Sequence, residues 1–227
     1  MLPSPGPDVY GTVTVVERLS CTPGVGHRSG TRPAGTLSVN KAHNLICSSR
    51  WWARSVEQDV LPWGLSSVDL GDDVLEIGPG FGATTRVLAR RPGRLSVLEL
   101  ERHYCERLRR ELGDGIDVVE GDATQMPFPD DRFSAAVCFT MLHHVPSPQL
   151  QDRVLAEVLR VLRPGGVFAG TDSFDGGLVF KLIHIGDTLA PLDPRTLPDR
   201  LQAAGFRHPK VDTSSRRTFR FRAFKPD

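Results

Sequence analysis

The sequence predicts an α/β protein built on a doubly wound, mostly parallel seven-stranded sheet, with an antiparallel strand pair at the sheet edge and a helical cap ahead of the first strand. Three observations predict it. Val74-Leu75-Glu76-Ile77 runs into Gly78-Pro79-Gly80-Phe81-Gly82-Ala83, a short buried strand followed by a glycine-rich turn and an amphipathic helix. Strand and helix patterns then alternate, as parallel neighbours joined by helical crossovers require. The last two strand patterns follow one another with no helix between them, which suits an antiparallel pair.

The elements follow in order. Residues 1–38 set Pro3, Pro5, Pro7, Pro23 and Pro33 among Gly, Ser and Thr with no amphipathic period. They are expected to be a disordered extension ahead of a domain over residues 39–227. Arg18, Arg28 and Arg32 among Ser and Thr leave an organelle transit peptide as a second reading. The shift in composition at Val39 leaves a natural start near Val39-Asn40-Lys41 as a third. From Asn40 to Leu65 the pattern is helical: a short helix over Ala42, Leu45 and Ile46, then one capped by Ser48 or Ser49 that runs through Trp51, Val56 and Val60 until Pro62 stops it. Trp51, Trp52 and Trp63 read as anchors packing this pair onto the sheet, ahead of direct substrate contact.

The helix after the glycine turn includes Thr85, Val87 and Leu88 and closes at Pro92-Gly93. Leu95–Leu98 is the second strand and ends in Glu99-Leu100-Glu101. A charged helix from about His103 to Leu112 keeps Tyr104, Leu108 and Leu112 on its inner face. Ile116–Val119 is the third strand, and Pro127, Pro129 and Asp130-Asp131 mark a loop. Ala135–Phe139 is the fourth strand. The helix Gln149–Leu162 follows, ended by Arg163-Pro164-Gly165-Gly166, and Val167–Gly170 is the fifth strand. A short helix, Pro198–Ala204, closes at Gly205. Two strands then lie around Lys210–Asp212 and over Thr218–Phe224, where Phe219 and Phe221 face inward and Arg220 and Arg222 face solvent.

Composition narrows the function. A hydrophobic share of 39% and a charged share of 24% are ordinary for a soluble globular chain. A net charge of +1 argues against a nucleic-acid partner held by phosphate contacts. No apolar run is long enough to span a bilayer, so no membrane partner is expected. Cys21, Cys47, Cys105 and Cys138 form neither a CxxC pair nor a zinc spacing. A reduced, cytoplasmic protein without a metal site is the expectation, with Cys138 a small buried hydrophobe.

In this order, Val74 to Gly82, Glu99, Gly121-Asp122-Ala123, Met126-Pro127-Phe128-Pro129-Asp130-Asp131-Arg132-Phe133, Leu142-His143-His144-Val145 and Leu162-Arg163-Pro164-Gly165-Gly166 resemble the class I S-adenosylmethionine-dependent methyltransferases of the small, single-domain, type 11-like group. The resemblance covers roughly Asn40 to Lys225. It implies a Rossmann-like fold, S-adenosyl-L-methionine as cofactor and methyl transfer to a small-molecule acceptor. Gly78-Pro79-Gly80-Phe81-Gly82-Ala83 also satisfies the dinucleotide fingerprint, so an NAD(P)-dependent oxidoreductase is the alternative on those residues. A non-catalytic adenosylmethionine-binding protein is another.

The resemblance implies roles residue by residue. Glu76 would stand near the methionine ammonium, directly or through water; a turn-bonding or helix-dipole acid is its competing role. Gly78, Pro79, Gly80 and Gly82 would let the backbone pass close to the ribose and methionine portion. Glu99 would take the ribose hydroxyls, with Glu101 as rival, since i and i+2 share a strand face. Leu100 would border the adenine. Asp122 would accept from the adenine amine and the Ala123 N–H would meet a ring nitrogen; a turn acid is the other reading of Asp122. Thr140 would end the fourth strand at the transferable methyl. His143 and His144 are candidate general bases, set against a plain helix-start role.

Two departures from the family pattern stand out. Ser134 replaces the usual acid, which should alter only the start of its strand. Phe139-Thr140-Met141-Leu142 lacks the Asn/Asp-Pro-Pro-aromatic motif of nucleic-acid amino methyltransferases. Acceptor contacts are expected from the N-terminal helices and from lid pieces over Thr171–Gly177 and Phe180–Asp193, with Phe174, Phe180, His184 and Ile185 as pocket residues and Gly176-Gly177 as a hinge.

Overall fold

The computed structural model describes residues 45, 47–91, 93–173, 189–215 and 218–227. The expectations for residues 1–38, for Ala42, Ile46 and Pro92, and for Phe174, Phe180, His184, Ile185 and the Gly176-Gly177 hinge lie outside them.

Ser49 starts the helical cap: its Oγ accepts the Trp52 N–H at 3.1 Å and begins α1 (Arg50–Ser55). A π turn over Val56–Val60 continues α1 into α2 (Leu61–Gly64), with the Leu61 N–H reaching back to the Val56 carbonyl. The expectation that Pro62 stops the helix is corrected. Pro62 lies in the first turn of α2, where its missing N–H costs no hydrogen bond.

The sheet is built from β1 (Asp73–Ile77), β2 (Arg94–Glu99), β3 (Asp117–Glu120), β4 (Phe133–Phe139), β5 (Leu162–Ser173), β6 (Arg207–Asp212) and β7 (Thr218–Phe224), in the order β3-β2-β1-β4-β5-β7-β6. β1 pairs parallel with β2 and β4, β2 with β3, and β4 with β5; β7 runs antiparallel to both β5 and β6. The antiparallel pair is therefore at this end of the sheet, with β7 one place in and β6 outermost. Arg163-Pro164-Gly165-Gly166 does not precede the fifth strand but bulges within it: Phe133 pairs with Leu162, and pairing resumes only at Ala135 and Val167.

Crossover helices α3 (Ala83–Leu88), α4 (Arg102–Leu112), α5 (Pro148–Val161) and α6 (Leu197–Ala203) fill two layers. On one face Leu75, Ile77, Phe168, Phe219 and Phe221 pack with Val154, Leu155 and Val158 of α5 and Leu197 and Leu201 of α6. On the other, Val74, Val97 and Val137 pack with Val56, Leu61, Leu88, Cys105 and Leu108 of the cap, α3 and α4. Alternation along β1 thus feeds both layers. Cys138 is fully buried, as a small core residue should be.

The outer face of β7 departs from a solvated basic surface. The Arg220 guanidinium lies 5.2 Å from the Trp63 ring centroid, donates to the Trp63 carbonyl at 2.6 Å and pairs with Asp212 at 2.8 Å. Arg222 donates to the Ser67 carbonyl at 3.1 Å. These arginines bolt the cap to the sheet. Ser134 keeps to the start of its strand: its Oγ accepts the Asp73 N–H at 3.0 Å, joining β4 to the first residue of β1.

Candidate functional site

A cavity opens at the carboxyl ends of β1, β2 and β4, where open parallel sheets bind ligands. One wall is the glycine turn, Gly78 to Phe81, with Thr84, Glu99, Glu101 and Tyr104. Trp52, Val56 and Val60 of the cap and Phe139 and Met141 from the end of β4 add an apolar lining, with Met141 packed against Gly78, and Cys47, Thr140 and His144 complete the cavity. The π turn brings Val56 and Val60 to this lining, an arrangement that π bulges often serve at functional sites.

Gly78, Gly80 and Gly82 all take positive φ, at 64°, 54° and 73°. A Cβ on Gly78 would meet Met141 Cγ at 2.3 Å and one on Gly82 would meet Leu108 Cδ2 at 2.4 Å, so these two are fixed by packing. A Cβ on Gly80 would meet nothing within 4 Å. Gly80 alone of the three has open space where a side chain would be, and it lines the cavity. Thr140, at the other side, holds φ 51° while its N–H donates to the Thr171 carbonyl at 2.8 Å. A β-branched residue in that region marks a strained position at the strand end.

Glu99 ends β2 and is buried. Its Oε2 accepts the Gly80 N–H at 2.9 Å and its Oε1 the Glu101 N–H at 3.0 Å. Burial pushes the carboxyl up, and the backbone donors Glu101, Gly80 and Leu100 pull it down. Glu101 is not in the strand but at the N-cap of α4, with its side chain at the cavity. The Gly121 N–H donates to the Glu99 carbonyl at 2.9 Å, which sets Asp122 and Ala123 beside the end of β2. Leu100, Asp122 and Ala123 follow the ends of β2 and β3 and do not line the cavity. Asp122 is exposed and its Oδ1 accepts the Thr124 N–H at 2.8 Å, an Asx turn.

Glu76 is buried on the cap-facing side of β1 and receives a short hydrogen bond from the Thr84 hydroxyl. Its Oε2 accepts none, and no basic side chain among the described residues pairs with it. Thr84 lines the cavity, so Glu76 stands one hydroxyl behind the wall. Burial pushes its carboxyl up to about 7, against the Thr84 hydrogen bond.

The two histidines separate. His143 is buried, its Nδ1 2.5 Å from Asp172 Oδ1 and its carbonyl accepting the Ala190 N–H at 2.7 Å. It ties the end of β4 to β5 and does not reach the cavity. His144 does line it, with its ring centroid 4.2 Å from that of His143. Sequence reasoning did not single out Thr84, Phe81 or Met141 for the site, and it gave Tyr104 only a packing role. For Tyr104 and Thr84 the available signal was a polar group on the first turn after a strand end.

The methyltransferase domain family matches residues 75–170. The chain carries a class I S-adenosylmethionine-dependent methyltransferase domain. It is 41% identical over 108 residues to a fatty-acid O-methyltransferase of Mycolicibacterium smegmatis, covering 45% of this chain and 38% of that protein. It is 36% identical over 120 residues to a chloroplastic 2-methyl-6-phytyl-1,4-hydroquinone methyltransferase of rice (51% and 33% covered) and 36% identical over 113 residues to a sterol 24-C-methyltransferase of Eremothecium gossypii (46% and 29%). The chain spans about a third of the length of these curated relatives. Among solved structures, a methyltransferase of Thermotoga maritima superposes with a TM-score of 0.63 at 20% identity, over 82% of this chain and 95% of that one. The [4+2]-cyclase SpnF superposes at 0.56 with 19% identity, over 78% and 81%. The fold is thus shared with a protein named for other chemistry. The domain's family and its antiparallel β7 set the dinucleotide oxidoreductase reading aside.

The site fits the family's methyl donor on its own features. That donor is a cation with an ammonium, a sulfonium and vicinal hydroxyls. The cavity offers open space over Gly80, a strand-end carboxylate with free lone pairs at Glu99, and a buried carboxyl at Glu76 with an unused oxygen.

Proposed function

We propose that the protein transfers a methyl group from S-adenosylmethionine to a small acceptor with an apolar body. One observation carries this: a single cavity joins the acids Glu99 and Glu101 beside the glycine turn to apolar side chains of the helical cap and the end of β4. The methionine end of the donor lies along Gly78–Gly80 with Glu76 behind it. Glu99 takes the ribose hydroxyls, and Leu100, Asp122 and Ala123 border the adenine. When bound, the donor supplies an electrophilic methyl on a cationic sulfur.

The chain's own residues hold the two partners in line and exclude water, which supplies roughly 7–11 kcal/mol of a barrier in well-oriented reactions. Trp52, Val56, Val60, Phe139 and Met141 desolvate the acceptor. His144 is the one imidazole at the cavity among the described residues and takes the acceptor's proton where it carries one; His143 positions the His144 segment through Asp172. The relatives named for fatty acids, hydroquinones and sterols support an apolar acceptor.

Titration calorimetry with S-adenosylhomocysteine and with NADP(H), followed by labelled methyl donor against fatty acid, sterol and hydroquinone acceptors, tests the reading. Tight binding of S-adenosylhomocysteine and label in an apolar acceptor is the expected result. Binding of the nicotinamide alone, or donor binding with no transfer to any acceptor, overturns it.

A further inference from the structure

The apolar lining of the cavity leads onto an exposed patch of unusual make-up. Trp52 lines the cavity, while Trp51 beside it on α1 is 70% exposed. This corrects the expectation that all three tryptophans pack the cap onto the sheet. Leu45, two residues before the cavity-lining Cys47, is 73% exposed. Among the described residues the next large apolar side chain in exposure is Leu100, at 37%.

Charge completes the pattern. Arg50 and Arg54 are exposed and one helical turn apart, and α1 brings them to the same side as Trp51. Neither forms an ion pair among the described residues, whereas Arg90 is paired with Glu57 of the π turn. An indole is amphipathic and settles at the boundary between headgroups and acyl chains. Guanidinium groups bind phosphate oxygens in a two-point fork and are drawn to anionic bilayers. Two exposed cations beside an aromatic tip, on a helix whose Trp52 lines an apolar cavity, with the exposed Leu45 just ahead of it in the chain, complement that environment more closely than they complement water.

We propose that this face of the helical cap, Leu45, Arg50, Trp51 and Arg54, docks the protein on an anionic lipid surface, so that a lipid-like acceptor passes from the bilayer into the cavity without crossing water. The proposal rests on reading the apolar lining as the acceptor site. It also revises the expectation of no membrane partner. That expectation came from the lack of a spanning run, and a four-residue interfacial patch leaves no trace in a long hydropathy window.

Cosedimentation of the full chain with vesicles tests it. Vesicles of phosphatidylcholine mixed with phosphatidylglycerol should retain the protein, phosphatidylcholine alone should retain little, and added salt should release it. Trp51→Ser should lower partitioning roughly tenfold, and the double substitution Arg50→Gln with Arg54→Gln should abolish the preference for phosphatidylglycerol. Both variants should keep the wild-type affinity for S-adenosylhomocysteine, which shows that they fold. The proposal is overturned if wild type stays in solution with both vesicles, if the variants partition like wild type, or if Trp51→Ser turns a dimer into a monomer in sedimentation velocity, which would make the patch a self-association face. Product binding without vesicle binding sinks only the docking; vesicle binding without product binding sinks the function above.

Discussion

Asp73 opens β1 and Glu76 stands three residues further along it, and both carboxylates are buried. Around Asp73 the chain gathers Arg94 at 2.9 Å and Arg132 and Arg163 at 3.9 Å. Around Glu76 it places hydroxyls, those of Thr84 and Thr85, and no cation among the described residues, while Asp73 Oδ1 and Glu76 Oε2 alike accept no hydrogen bond. A buried carboxylate needs a counter-charge, a proton or several donors. At the amino end of the sheet the protein supplies the cations itself, from β2, from the residue before β4 and from β5. At the carboxyl end the described residues supply none, and burial raises the Glu76 carboxyl to about 7 instead. The first acid is part of the scaffold, and the second lies uncompensated one hydroxyl behind the cavity.

The contrast can be broken most readily at Glu76. Its folded pKa of about 7 lies above the ordinary glutamate value of 4.5. Between those values the folded state binds more protons than the unfolded one, so this group's contribution to stability falls as pH rises from 4.5 through 7. Removing the ionisable group should therefore stabilise the ligand-free protein at pH 8. Glu76→Gln is expected to raise the unfolding free energy there by about 3 kcal/mol, and by almost nothing at pH 4.5. Urea unfolding at both pH values checks this, and a pH-independent difference would end the argument from an uncompensated charge.

Next in size is the strand-end acid. Glu99→Ala removes the acceptor of two backbone N–H groups as well as the proposed ribose seat, and should weaken S-adenosylhomocysteine binding roughly 100-fold, while Glu101→Ala changes it less than about threefold. Equal losses in a calorimetric titration would move the seat to the N-cap of α4. Asp73→Asn should act with the opposite sign to Glu76→Gln: stability drops by about 1–2 kcal/mol, since its arginines are partly exposed and rehydrate, and product affinity stays the same. A stabilised Asp73→Asn would show that the two ends are alike.

The smallest effect is a linkage. A cationic donor that needs ionised Glu76 must expel its proton below about pH 7. Affinity for S-adenosylmethionine should then fall up to tenfold per pH unit below that point, with proton release visible in buffers of different ionisation enthalpy. A flat affinity from pH 5.5 to 8 would detach Glu76 from the ligand.

Much of the fold was legible because its signals are local. The strand patterns alternate, the helices keep an apolar stripe, and the glycine turn needs positive φ at three positions, which a sequence displays directly. The cavity lining was legible at strand ends, at Glu99 closing β2 and Thr140 directly after β4. It was less so where neighbours diverge. Glu99 and Glu101 share a strand period, and only the start of α4 at Arg102 separates them. His143 and His144 are adjacent, yet Asp172 from β5 draws one into the core and leaves the other at the cavity. Pro62 signalled a stop, but the π turn shifts the hydrogen-bond ladder so that the proline falls in a first turn.

The sequence by itself determined the order of the elements, the glycine turn and the acids that end the strands. Each of these depends on backbone dihedrals or on side chains within a few residues. Tertiary structure alone decided which acid is neutralised and which is not, which tryptophan lines the cavity and which faces water, and that β7 inserts between β5 and β6. Those outcomes rest on contacts such as Arg163 with Asp73 and Arg220 with Trp63, between positions far apart in the chain. No local pattern encodes such a meeting, because its energy exists only once the sheet has brought the partners together.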